Sequence, residues 1–313
     1  MKKIVTCLLL CSSFISADIF SQKPVFDQTA GSLRLAIDRT GKIVVLEDAT
    51  AGVNYIDNRA ASYLLSIRKY SARDSSAMFT PRALKVIEQT SAGSKLELSY
   101  DEGIKLSVLI IRKPGYFRIE LTGAGNAKNI RQISWGPYRT TMNGLIGNCI
   151  GFNRSDQFSV GLLSLEPNTD GYLSNYSVEA AFYTAKGSGM QLTAFDHTRG
   201  QFVKSYENGH EDLRKALPVP GLTVIGSAIA LTGCPSGDKN ELAMIEKVEL
   251  GEKLPHPEFE GKWNKYSRQA DKLNVWSYNY SQQNFAGYLD ISKEMGAKIL
   301  YRNPGFFKNW GHF

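Results

Sequence analysis

Residues 96–121 read LELSYDEGIKLSVLIIRKPGYFRIEL, and the fold class follows from their spacing. Apolar side chains occupy every second position of three successive runs: Leu96, Leu98 and Tyr100; Ile104, Leu106, Val108 and Ile110; Phe117, Ile119 and Leu121. Turn sequences at 101–103 and 113–115 separate the runs. Because successive side chains of a strand point to opposite faces, this period predicts three antiparallel strands with one face in a core.

The same character continues on both sides of this stretch. Leu33, Leu35 and Ile37 alternate with polar neighbours, and a turn at 40–41 leads back into Ile43 and Val45, which predicts a hairpin. Further strands are expected within 130–138, 158–165, 178–183, 190–195 and 222–231. The sequence therefore predicts a mainly β fold, a large antiparallel β-sandwich over residues 22–234.

The first 21 residues have the composition of a secretory signal peptide. Lys2 and Lys3 precede an apolar run, and cleavage after Ala17 or after Ser21 fits the small residues there. We expect an exported protein of the periplasm or the cell surface. No later apolar run reaches the roughly 18 residues of a membrane-spanning helix.

The composition and charge of the chain limit the kinds of partner that it can bind. The chain has 313 residues, is 42% hydrophobic and carries a net charge of +7, which becomes +6 without the first 21 residues. The basic residues are scattered along the chain, whereas nucleic-acid binding favours a clustered patch, so no nucleic-acid partner is expected. The sequence leaves the oligomeric state open.

The pattern changes after residue 234. A helix carrying Leu242, Ile245 and Val248 is expected within a helix-and-linker region at 235–270. A second helix with Phe285, Tyr288 and Leu289 at helical spacing is followed by one short apolar strand and a loop rich in aromatic side chains. A helix, a strand and a loop in this order predict that residues 271–313 begin a (β/α) barrel that stays incomplete after its first strand.

Five segments carry a family resemblance: Trp135-Gly136-Pro137, Leu165 to Tyr172, Gly233-Cys234-Pro235, Leu254-Pro255-His256-Pro257 and Asn309 to Phe313. With them the chain resembles exported Bacteroidetes-type glycoside hydrolases similar to the α-galactosidase (melibiase) clan. Such proteins have a galactose-mutarotase-like sandwich ahead of a (β/α)8 catalytic barrel. The resemblance implies the N-terminal part of an enzyme acting on glycosidic bonds of oligo- or polysaccharides.

The same resemblance implies that this chain is inactive as it stands. Glycoside hydrolases use two carboxylates, and in this clan these lie on middle and later barrel strands. A chain with one barrel strand lacks that pair, so the catalytic residues are unknown. The alternative is a carbohydrate-binding or structural β-sandwich module without catalysis. A third hypothesis, a mutarotase-like epimerase, would need His197 and His210 with Glu166.

Two sets of residues are candidates for contacts with carbohydrate. The resemblance places the first at the end of the first barrel strand, and it comprises Tyr301, Arg302, Asn303, Trp310 and His312. The alternative for this loop is that Trp310 packs beneath it. The second set is Glu166 and Asp170 in the 165–172 loop, which could contact a substrate or calcium, or form a turn bonded to its own backbone.

Remaining features are mainly structural. Trp135 could offer a stacking surface, but a Trp beside Gly-Pro in a strand is more often a core anchor. Cys149 and Cys234 are a candidate disulfide of an exported chain, and two separate buried thiols are the equal alternative. The four histidines lack the spacing of a zinc site, so no cofactor is expected, and calcium alone stays open.

Overall fold

The computed structural model describes residues 23–70, 77–125, 129–146, 151–173, 178–199, 201–207, 210–256, 258–259, 261–263, 274–277, 285–294 and 299–302. The strands are, in chain order, β1 (Phe26–Ala30), β2 (Leu33–Ile37), β3 (Ile43–Asp48), β4 (Val53–Asn54), β5 (Ser66–Lys69), β6 (Ala83–Gln89), β7 (Gly93–Ser99), β8 (Lys105–Lys113), β9 (Tyr116–Gly125), β10 (Ile130–Thr140), β11 (Gly144–Ile146), β12 (Gly151–Arg154), β13 (Phe158–Ser164), β14 (Thr169–Leu173), β15 (Val178–Glu179), β16 (Ala181–Thr184), β17 (Gly187–Phe195), β18 (Gln201–Glu207), β19 (His210–Ala216), β20 (Ala228–Pro235), β21 (Glu258–Phe259), β22 (Lys262–Trp263), β23 (Asn274–Ser277) and β24 (Ile299–Arg302). The helices are α1 (Asp238–Gly251) and α2 (Phe285–Glu294), with a 3-10 turn at Asp101–Gly103.

Three antiparallel sheets make up most of the fold. The largest has eight strands in the order β11-β12-β13-β20-β9-β8-β7-β6. A six-stranded sheet has the order β15-β14-β17-β10-β5, with β16 pairing β17, and a four-stranded sheet follows the chain from β1 to β4. The mainly β, antiparallel fold predicted from the sequence is therefore confirmed.

Side chains from all three sheets form one hydrophobic core. Leu35 of β2, Val108 of β8 and Trp135 of β10 are completely buried in it, together with residues of β13, β17 and β20. The period of two explains how the eight-stranded sheet serves two cores. In β20, Leu231 belongs to the main core, whereas its neighbour Ala230 points to the opposite face and joins a second cluster.

Helix α1 covers that opposite face. Met244, Ile245 and Val248 of α1 pack in the second cluster, while Leu242 is only partly buried. The helix predicted here is confirmed, with two of its three expected apolar positions fully inside. Trp263, in the region expected to be a linker, is also buried in this cluster and donates its indole N–H to Glu249. That part of the expected linker is therefore packed onto α1.

Several boundaries differ from the sequence expectation. The strand expected at 222–231 begins only at Ala228, because residues 217–227 form a loop. The 165–172 loop gives way at Thr169 to β14, which pairs with β17. Turn-forming Asn, Asp and Gly residues obscured this short strand.

The C-terminal segment contains a second strand that the sequence reading missed. Strands β23 and β24 are parallel, with Val275 opposite Leu300, and α2 lies between them in the chain. The expectation of a single strand was therefore wrong, and the segment is a β-α-β unit. The described residues give this parallel sheet two strands, which do not make a barrel.

Candidate functional site

A cleft of about 800 Å³ lies where strands of the two larger sheets begin or end, and we call it the end cleft. It is lined by Glu102, Ile104, Ala124, Asn129, Ile130, Asp196, Thr198, Arg199, Thr223, Val224 and Ile225. In the eight-stranded sheet this is the side where β8 begins and β9 ends; in the six-stranded sheet it is where β10 begins and β17 ends. The loop before β20 completes the wall. Antiparallel pairing therefore brings residues distant in sequence to one place.

One side of the end cleft carries an ion pair. The Lys69 ammonium, at the end of β5, lies 2.8 Å from Oε2 of Glu102. The Lys69 side chain is 8% exposed and the Glu102 side chain is 70% exposed. Lys69 also lies over the ring of Phe79, with Nζ 4.2 Å from the ring centroid. A buried cation thus holds a carboxylate that is open to solvent.

A second part of the lining is built around Asp196, directly after β17. Tyr70 donates its hydroxyl proton to the Asp196 carboxylate, 3.2 Å from Oδ2. Oδ1 accepts hydrogen bonds from the backbone N–H of Thr198 (2.9 Å) and from its hydroxyl (2.6 Å). The guanidinium of Arg199 stacks on the Tyr70 ring at 4.3 Å. These contacts fix the carboxylate from two directions.

The pKa of Tyr70 is raised, chiefly because burial disfavours the phenolate. The negative charge of Asp196 adds to that effect, and Arg199 and Arg131 oppose it. The hydroxyl therefore stays protonated at neutral pH and acts as a hydrogen-bond donor to Asp196.

A chain of buried hydroxyl groups holds the 223–225 wall in place. Trp135 donates its indole N–H to Oγ of Ser227 at 2.8 Å, and Ser227 and Thr169 are hydrogen-bonded at 2.7 Å. Asn168 donates its amide N–H to the carbonyl of Thr223 at 3.2 Å. We call Trp135, Ser227 and Thr169 the polar pin, since it ties β10 and β14 to the residue just before β20. The core-anchor interpretation of Trp135 is confirmed.

The floor of the end cleft is aliphatic. Ile104, Ile130 and Val224 are buried with only a few per cent exposed, whereas Ile225 at the rim is 45% exposed. Carboxylate, amide, hydroxyl and guanidinium groups surround this floor. Such a lining offers both hydrogen bonds and apolar contact to one small ligand.

Of the predicted site residues, Glu166 is fully described and lies elsewhere. Its Oε1 is 3.5 Å from Arg118, whose guanidinium also pairs with Glu252 at 2.6 Å just after α1. Glu252 accepts a further hydrogen bond from Tyr116 at 2.7 Å. Glu166 thus belongs to an ion cluster beside α1. In the same loop, Asn168 bonds to the 223–225 wall.

For the remaining predicted residues, the structure gives backbone positions alone or does not describe them. Asp170 pairs with Thr193 in the ladder of β14 and β17, and Tyr301 and Arg302 form the end of β24. Asn303, Trp310 and His312 lie outside the described residues. The contacts expected of this group stay predictions.

The epimerase hypothesis and the disulfide gain nothing from the structure. The ring of His197 packs edge-on against Phe195, and the His210 side chain is outside the described part. Cys234 is a free, buried thiol on β20, and Cys149 falls outside the described residues. The pairing of the two cysteines stays a prediction.

Sequence reasoning missed Lys69, Glu102 and Asp196. Glu102 belonged to a turn that separates two strands, and Asp196 follows a strand end, so both looked like ordinary loop acids. Only the pairing of the strands shows that these residues share a cleft. Within the described residues no three His, Cys, Asp or Glu side chains are grouped as metal ligands, and no helix there has the length and apolarity to cross a membrane.

No protein-family model matches the chain, and no curated protein matches it in sequence. Among solved structures, the chain is similar to a candidate aldose 1-epimerase from Escherichia coli K12, with a TM-score of 0.35 and 8% identity. The match covers 67% of this chain and 99% of the other.

Proposed function

We propose that the chain is the β-sandwich part of an exported carbohydrate-active protein, and that its end cleft binds carbohydrate. The observation that supports this most is the lining itself, an aliphatic floor ringed by fixed hydrogen-bonding groups in about 800 Å³. Ligand pockets typically have volumes of about 300–1,000 Å³. A mono- or disaccharide is a ligand of the size that such a pocket holds.

The chemistry of a sugar fits both parts of the lining. Hydroxyl groups both donate and accept hydrogen bonds, so they can pair with the Glu102 carboxylate, the Asn129 amide and the Thr198 hydroxyl. The C–H face of a sugar ring is apolar and can pack on Ile104 and Val224. A ligand without hydroxyl groups would leave the polar ring unpaired, which costs binding energy.

A second candidate is the glycoside-hydrolase reading, in which the chain is the N-terminal part of such an enzyme. The β-α-β unit of β23, α2 and β24 favours it, because parallel strands joined by a helix are the repeating unit of a (β/α) barrel. In that case the catalytic carboxylates lie beyond the sandwich, and the end cleft holds part of the substrate.

The proposal that the protein is exported rests on the signal-peptide composition of residues 1–21.

The test is binding and turnover by residues 22–313, on a glycan array and on a panel of aryl α- and β-glycosides. Asn129→Ala removes the amide of the end cleft and keeps the backbone bond from Tyr70, whose N–H donates to the Asn129 carbonyl at 2.7 Å. We expect it to weaken glycan binding about 2- to 10-fold, the worth of a net hydrogen bond. Gln89→Ala, on exposed β6, is the matched control.

Glycan binding that Asn129→Ala leaves unchanged would place the binding site elsewhere and contradict the proposal. Turnover of a glycoside by this chain would favour the enzyme reading and require a carboxylate pair within it. Mass analysis of the secreted protein tests export, with an expected new N-terminus after residue 17 or 21.

A further inference from the structure

The backbone of Glu102 has a conformation that its side chain does not favour. Its φ is 61° and its ψ is 23°, and the next residue, Gly103, also has a positive φ of 70°. Two consecutive residues of positive φ are the requirement of a type I′ hairpin turn, in which Asn-Gly is the favoured pair. Left-handed backbone at a residue such as Glu costs about 1–2 kcal/mol. A strained residue in a cleft is a reason to look for a function of its side chain.

Among the residues that the structure describes, the partners of Glu102 leave one of its carboxylate oxygens for a ligand. Oε2 is held by Lys69, and Oε1 accepts no hydrogen bond from any residue in the described part of the chain. A carboxylate oxygen is an acceptor alone, and its hydrogen bonds from neutral donors are charge-assisted. Vicinal sugar hydroxyls supply such donors.

The same oxygen disfavours an anionic ligand. A carboxylate or sulfate group of a sugar has no proton to donate at neutral pH, and its charge repels Glu102. Two cations could offset this repulsion. Lys69 is 8% exposed, lies over the Phe79 ring and is already paired with Oε2, and Arg199 stacks on the Tyr70 ring beside Asp196. Glu102 and Asp196 are the two acids of the lining, and the charges of Arg199 and Lys69 balance them. The end cleft therefore has no surplus of positive charge with which to bind an acidic ligand.

We propose that Glu102 is the specificity-determining residue of the end cleft, and that its carboxylate selects neutral glycans over those that carry carboxylate or sulfate groups. This inference rests on the proposed function, since it names the ligand class of the same site. It runs against the net charge of the chain, which is +7 and would by itself attract acidic glycans.

The experiment compares residues 22–313 with two variants on an array of neutral hexose and pentose oligosaccharides and their uronate and sulfated counterparts. Glu102→Gln keeps the shape of the side chain and removes its charge. Glu88→Gln removes a charge from exposed β6, remote in the sheet order from β9, and controls for net charge. The unchanged chain should prefer neutral glycans at least fivefold, about the effect of one like charge at 4 Å in water.

We expect Glu102→Gln to bring the preference below about twofold, because the charge that repels an acidic glycan is gone, while Glu88→Gln keeps it. Because the first variant leaves Lys69 without its partner, the double variant Glu102→Gln/Lys69→Met provides a neutral cleft with no unpaired cation, and it should lose the preference too. Equal binding of neutral and acidic glycans by the unchanged chain would overturn this inference alone, as would a preference that survives in both variants. Absence of any glycan binding would overturn the proposed function and the inference with it.

Discussion

Removing the central hydroxyl of the polar pin should destabilise the sandwich more than removing an outer one. Ser227→Ala deletes two buried hydrogen bonds, of 2.8 Å from Trp135 and 2.7 Å with Thr169. Trp135, Ser227 and Thr169 are each at most 5% exposed, so water cannot easily replace the lost partner. The indole N–H of Trp135 would be left buried without an acceptor.

The magnitude follows from these contacts. Each lost hydrogen bond contributes about 1 kcal/mol, and an unsatisfied buried donor costs about 1–3 kcal/mol. We expect Ser227→Ala to lower the free energy of unfolding by about 2–3 kcal/mol, allowing for overlap between these terms. Thr169→Val removes the bond to Ser227 and a 3.2 Å bond to Asn168 Oδ1, but it leaves the bond from Trp135 to Ser227 intact, so it should cost less, about 1–2 kcal/mol.

Guanidinium unfolding followed by fluorescence measures both values as shifts of the transition midpoint at constant slope. The variant Trp135→Phe/Ser227→Ala removes donor and acceptor together. Its cost should be less than the sum of the two single changes, because no unpaired N–H remains. Equal losses for Ser227→Ala and Thr169→Val, or strict additivity in the double variant, would refute the idea that the indole depends on Ser227.

Three further predictions concern buried ionisable groups. Glu241→Ala on α1 should lower the free energy of unfolding by about 2 kcal/mol. This is less than the roughly 3–5 kcal/mol of a fully buried pair, because Arg154 is 28% exposed and keeps a second acidic partner in Asp238. The control Glu246→Ala on the same helix should lower it by less than about 0.5 kcal/mol, and chemical unfolding measures both values. Burial raises the pKa of the Cys234 thiol to about 12, with a smaller contribution from the charge of Glu241, so peptide mapping after iodoacetamide at pH 8 should find this cysteine unmodified until the chain is unfolded. Burial also raises the pKa of Tyr100 well above its usual value. Above about pH 10 the unfolded chain loses the Tyr100 proton while the folded chain keeps it, so stability falls as pH rises, by up to about 1.4 kcal/mol per pH unit. Tyr100→Phe should reduce this slope in alkaline unfolding titrations.

The sequence was sufficient for strands that have one face in the core. In β7, β8 and β9 most inward residues are apolar and most outward residues are polar, so the period of two is visible without a structure. The hairpin of β18 and β19, with Gln201 opposite Ala216, was missed because its residues do not alternate in this way. The two-residue and four-residue strands are too short to show any period.

The end cleft could not be predicted for a different reason. Lys69 and Glu102 are separated by the whole of β6 and β7, and Glu102 lies between two strands of the eight-stranded sheet. Lys69 and Asp196 lie at the ends of β5 and β17, two strands of the six-stranded sheet that are far apart in the chain. Their proximity depends on the order of strands in the sheets, which periodicity does not encode. Glu166, one of the two acids that the sequence singled out, has its partner in Arg118 beside α1. An acidic residue in a loop therefore says little until its counter-ion is known.

The position of the end cleft also explains why its polar groups can be held firmly without a flexible element. Tyr70, which bonds Asp196, follows β5 directly, and its own N–H donates to the carbonyl of Asn129 at 2.7 Å. The Thr223 wall is tied through Asn168 to the start of β14. Tyr70, Asp196, Asn129 and Asn168 thus each lie directly beside the end of a strand. A ligand that bonds to these groups need not order them first, so its binding should lose little conformational entropy in the protein.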